Sequence, residues 1–140
     1  MNINEFQFLI PKIKEALEIE IQVALTEIAA KIAEDARNKI GHEQHDWAEL
    51  ADATIASKEQ KGEPTPDPLL ATGELRDSIQ FVVEGHTAVI GSDDPVAVYQ
   101  ELGTETIPPR PFLSSAAAEN AGLVETVFET ALRKAFTVAK

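Results

Sequence analysis

The side chains that could do acid–base or metal chemistry in this chain are three histidines and a large excess of carboxylates. Cysteine is absent, so there is no thiolate nucleophile and no disulfide framework. Metal ligands would have to be histidine and carboxylate. His42 and His45, in the run Gly41-His42-Glu43-Gln44-His45, are the one pair close together. Their spacing is i, i+3, not the i, i+4 that puts two imidazoles on one face of a zinc-binding helix. They follow a glycine, in what reads as a loop, and His86 is far along the chain. A solvated or structural pair is therefore expected, with no metal and no cofactor. A metal-dependent hydrolase built on His42, His45 and a carboxylate is the enzymatic alternative.

Other catalytic patterns are missing. There is no G-x-S-x-G elbow, no phosphate-binding P-loop and no C-x-x-C. The reading that follows is not an enzyme. The formal charge is −12, from 24 acidic against 12 basic residues. Such a surface repels nucleic acid and anionic lipid, so no specific nucleic-acid binding and no membrane partner are expected. No apolar run approaches the ~20 residues of a membrane span. The first residues, MNINEFQFLIPKIKE, lack the features of a signal peptide, and the chain is expected to stay where it is made.

What remains is recognition chemistry, concentrated in Ala97 to Leu113, AVYQELGTETIPPRPFL. Asp94-Pro95 reads as a helix start, with Asp94 capping free N–H groups and Pro95 in the first turn. The helix runs through Tyr99 and Glu101 to Leu102, and Gly103 sits where a left-handed cap is wanted. Three prolines then make residues 107–113 a stiff extended arm. Arg110 offers a planar donor fork to a carboxylate. Phe112 and Leu113 form an apolar tip. A stiff arm loses little entropy on docking, so Tyr99, Glu101, Gly103, Arg110, Phe112 and Leu113 are the expected subunit or partner interface. The competing reading is a rigid connector whose Phe112 fills its own core, where large aromatics usually lie.

The elements around the arm follow from periodicity. Apolar residues from Ile13 to Ala36 recur at three- and four-residue steps, which predicts a helix over 11–40, started by Pro11 and stopped by Gly41. It is long for one domain of 140 residues, so one end should project, and Ile19 and Val23 lie off its main stripe. Asp46 and Glu49 resemble a capping box that opens a second helix over Leu50 to Lys58, with Trp47 as a buried anchor. Residues 59–68, EQKGEPTPDP, read as a loop with nothing to pack and the most mobile internal segment. Thr72 caps a short helix bearing Leu75. Residues 79–90 read as a β-hairpin turning at Glu84-Gly85-His86, with room for a third strand. Ser114 or Ser115 caps a last helix over 115–137. The fold class is α+β: a small antiparallel sheet packed on a long N-terminal and a C-terminal helix.

Five segments in this order resemble a known family. They are Trp47…Leu50…Thr54…Lys58; Leu70-x-Thr72-Gly73-x-Leu75-Arg76-x-Ser78-Ile79; Ile90-Gly91-Ser92; Tyr99-x-Glu101-x-Gly103-Thr104; and Ile107-Pro108-Pro109-Arg110-Pro111-Phe112-Leu113. Together, from Trp47 to about Ala118, they look like the tail-completion or virion morphogenesis proteins of tailed bacteriophages and prophages. Tail-component proteins of the long non-contractile phages are similar in the TG-x-L-x-x-SI and RPFL pieces. The family often has Tyr-Ala where this chain has Tyr99-Gln100. The resemblance implies a non-enzymatic assembly protein in the virion, at the tail or head–tail junction, made in the host cytoplasm. It implies ring-like homo-oligomers, often of six subunits, that meet head–tail connector or tail-tube proteins. A soluble helical adaptor unrelated to phage is the other non-enzymatic reading.

Overall fold

The computed structural model describes residues 2–42, 44, 47–65 and 67–138. Helix α1 spans Ile3–Lys39, 37 residues or ~55 Å of rod. It starts eight residues before the expected start at Pro11, because Asn2 and Glu5 form a reciprocal capping box. The Asn2 side chain accepts from the Glu5 N–H, and the Glu5 carboxylate accepts from the Asn2 N–H, both at 2.9 Å. Pro11 therefore lies inside the helix. It is exposed, so water can take the Gln7 carbonyl that loses its partner.

Helix α2, Asp52–Lys61, starts later than the expected box at Asp46, a residue outside those described. Residues 59–61 of the expected loop are helical, and the chain leaves the helix through Gly62 at φ 71°. The far end of that loop is tied down. The buried Lys58 ammonium donates to the Asp67 and Leu70 carbonyls, each at 2.6 Å, and the Gly41 N–H donates to the Pro68 carbonyl. One charged head thus satisfies two loop carbonyls that have no ladder to join.

Short helix α3, Glu74–Asp77, leads into strand β1, Ile79–Glu84, which pairs antiparallel with β2, Thr87–Ser92. Phe81 faces Ile90 and Val82 faces Val89 across the ladder, and Gly85-His86 makes the two-residue turn. Among the described residues the sheet has two strands, so the expected room for a third is not used within the chain. The hairpin lies along α1. Arg37 donates to the Ile79 carbonyl at its base, and Gln22 donates to the Gly85 carbonyl at its tip. His86 and Glu18 meet beside that tip at 2.7 Å.

After α4, Val96–Leu102, and the arm, the C-terminal part is two helices rather than one: α5, Leu113–Glu119, and α6, Ala121–Val138. The break is Asn120, which is buried and leaves helical geometry at ψ 9°. Its amide donates to the Asp35 carboxylate at 2.8 Å and to the Ala116 carbonyl at 2.7 Å. Anchored there, α6 runs back antiparallel along α1. Small residues are buried on both helices, Ala24, Ala29, Ala33 and Ala36 on α1 and Ala131 and Ala135 on α6. One apolar cluster joins this layer to the hairpin, with Ile28, Ile32, Leu75, Ile79, Phe112 and Ala116 at its centre. Trp47 packs against it only partly buried, as a side anchor and not a helix-start plug. The architecture is α+β, a two-stranded antiparallel sheet against a long N-terminal helix and a C-terminal helix pair.

Candidate functional site

The five segments quoted above come together around the proline arm. Helix α4 opens as its sequence implies, with the Asp94 carboxylate accepting from the Val96 N–H at 2.9 Å. It ends at Gly103, whose φ of 75° and ψ of 171° put it in a region open to glycine alone, beyond the ordinary left-handed cap. Space is also short there. A Cβ on Gly103 would lie 2.8 Å from both the Ile107 carbonyl oxygen and the Pro109 nitrogen. The chain then folds over Thr104, whose hydroxyl accepts from the Ile107 N–H and whose N–H donates to the Ile107 carbonyl. The arm returns beside α4, and the Arg110 N–H donates to the Gln100 carbonyl at 2.7 Å.

Arg110 is 6 % exposed. Its guanidinium fork does not meet a carboxylate, as expected from the sequence, but the Ala48 and Glu49 backbone carbonyls at 3.0–3.3 Å. That contact pins the segment after Trp47 to the arm. Burial, with no charged partner among the described residues, lowers the affinity of Arg110 for its proton. Phe112 is 1 % exposed and sits in the centre of the core, with Leu113 partly buried beside it. The arm is therefore the rigid connector of the two readings. Phe112 and Arg110 are used up inside the chain and do not form a docking tip.

Glu101 was expected at an interface and instead caps α5. Its two carboxylate oxygens accept from the Leu113 and Ser114 N–H groups, each at 2.9 Å. Ser114 and Ser115 do not cap the helix; the Ser115 hydroxyl donates back to the Pro111 carbonyl. A carboxylate at a helix start suits the exposed N–H groups and the dipole there, and it couples α4 to α5 across the arm.

Of the six expected interface residues, only Tyr99 is exposed. The structure adds Val98 and Leu102, which project with Tyr99 from the outer face of α4. Sequence reasoning passed over these two. The signal was present: Val96, Ala97, Val98, Tyr99 and Leu102 are more apolar residues than one stripe of a seven-residue helix can bury. Behind α4, a cleft of about 680 Å³ opens between α2, residues 69–75 and the arm. Gln100 lines it, and its side-chain oxygen is buried without a partner.

His42 is exposed, and His45 lies outside the described residues. Among the described residues, no three His, Cys, Asp or Glu side chains gather closely enough to hold a metal ion. No helix among them is long and apolar enough to cross a membrane. Comparison with protein-family models, with curated proteins and with solved structures yields no match.

Proposed function

We propose that this chain is a non-enzymatic assembly protein of a tailed bacteriophage or prophage, acting in tail completion or head–tail joining as a ring-like homo-oligomer. The observation that carries this reading is the convergence of the five quoted segments on one bracket. Arg110 holds residues 48–49, Glu101 starts α5, Gly103 lets the arm turn, and Phe112 locks it to α1. These four motif residues have mechanical tasks, as the parts of an assembly protein need. The bracket leaves an apolar strip, Val98, Tyr99 and Leu102, facing outward on a rigid mount. In a ring, that strip meets a different patch on the next subunit.

The test is complementation of a phage or prophage deleted for this gene, scored by electron microscopy. Wild type restores joined, tail-complete particles. Tyr99→Ala/Leu102→Asp melts like wild type yet leaves unjoined heads and tails. Normal particles from the deletion strain without any complementing copy sink the proposal.

A further inference from the structure

The first turns of α1 carry an apolar stripe that the described residues leave largely uncovered. Ile3, Phe6, Ile10, Ile13, Leu17, Ile21, Ala24 and Ile28 follow one another at steps of three and four, on one face. Ala24 and Ile28 are buried, and Leu17 and Ile21 are half-buried. Helix α6 has 18 residues and is anchored at Asp35, so it reaches back to about residue 17. Ile13, just beyond that point, is still half-buried, and further out the same stripe is largely exposed: Ile3 is 77 % exposed, Phe6 46 % and Ile10 49 %.

We propose that this bare stripe is a self-association surface, occupied by the same segment of a second copy, antiparallel and centred near Ile10. In that register Ile3 of one copy lies beside Leu17 of the other, and Phe6 beside Ile13. The stripe is thus complementary to itself.

Charge selects the same occupant. Residues 3–14 hold one acid, Glu5, and two bases, Lys12 and Lys14. The next stretch of α1, 15–35, holds Glu15, Glu18, Glu20, Glu27, Glu34 and Asp35 against Lys31. With a chain charge of −12, two copies repel over most of their surface. They can approach closely at the one end of α1 where acid does not prevail. The positions flanking the stripe are Gln7 and Lys14 on one side and Asn2 and Leu9 on the other, so no carboxylate lines the seam.

The area sets the strength. At roughly 200 Å² for a fully exposed large side chain, Ile3, Phe6 and Ile10 offer about 300 Å² per copy. Two copies with their flanking residues come to somewhat under ~1,000 Å², the weak end of specific interfaces. Pairing should therefore depend on concentration in the micromolar range. This inference rests on the exposed helix end and not on the phage reading.

The experiment is sedimentation velocity on the full chain from about 5 to about 200 µM, a range suited to an interface of this size. Wild type should shift from monomer to dimer across it. Phe6→Asp/Ile10→Asp should stay monomeric throughout with an unchanged melting curve, because both side chains lie outside the core. The absence of cysteine allows a geometric check. Ile10→Cys should form a symmetric disulfide dimer under mild oxidation at least several-fold faster than Phe8→Cys, which is on the opposite face. A wild-type monomer over the whole range, a dimer that survives Phe6→Asp/Ile10→Asp, or equal cross-linking of the two cysteine variants overturns the proposal. None of these outcomes depends on phage complementation, so failure here is separable from failure there.

Discussion

At the scale of single residues, the arm is held by geometry that few side chains could replace. Gly103 combines positive φ with two backbone atoms 2.8 Å from where a Cβ would stand. Gly103→Ala should therefore cost more than the ~1 kcal/mol of a glycine replaced at positive φ alone, because the turn must also open. Urea denaturation would show the midpoint falling, and an unchanged midpoint would contradict the account. The buried pair of the arm makes a second prediction. Phe112→Ala removes the central aromatic and should cost ~3–5 kcal/mol. Arg110→Ala leaves the Ala48 and Glu49 carbonyls without their donor and should cost ~1–3 kcal/mol, more than an exposed ion pair contributes. Arg110→Lys should recover only part of this, since an ammonium is a more strongly hydrated point charge without the preset planar fork. Thermal melting of all three distinguishes a core connector from an exposed tip, whose variants would melt like wild type.

At the scale of elements, the joints between helices are made by polar side chains buried at their ends. Asp35 is one such joint. Its carboxyl is held below the ordinary carboxylate range, first by the hydrogen bond from Lys31 and then by that from Asn120. The folded state thus binds its proton less readily than the unfolded state does. The stability gained is present in full above the ordinary value near pH 4 and is lost as pH falls through the lowered folded value. Asp35→Asn should flatten the acid limb of a stability–pH curve measured between about pH 2 and 6, and an acid limb identical to wild type would remove Asp35 from this role. Such joints were hard to read in the sequence. The periodicity of residues 115–137 continues through Asn120, so one helix was expected where two meet, because the partner that bends the chain is a carboxylate 85 positions away. Lys58 carries no sequence signal of its burial for the same reason: its carbonyl partners come from the next loop. The hairpin, α4 and the positive φ of Gly103 were legible because their signals are local.

At the scale of the whole molecule, the α+β class and the projecting helix followed from patterning, while the placement of the arm did not. Burial of Phe112 depends on what α1, the hairpin and α5 bring together, and no stretch of the arm encodes that. The front of α1 was also misjudged: Pro11 suggested a start, while Asn2 and Glu5 already supplied one. The consequence is substantial, since those first turns hold the barest apolar surface of the molecule. Their charge and stripe underlie the proposed contact with a second copy, and the strip on α4 is a second exposed apolar surface.

The contacts of the hairpin with α1 also work as a ruler. Arg37 grips Ile79 and Gln22 grips Gly85, so the hairpin is fastened at both ends of its length. Fifteen helical residues rise ~22 Å. The six steps from Ile79 to Gly85 span ~20 Å of strand. The two lengths are commensurate, so the helix gauges the hairpin. A pair of residues added to each strand would carry the tip ~7 Å further, past Gln22 and alongside the turns where the helix leaves its own body behind.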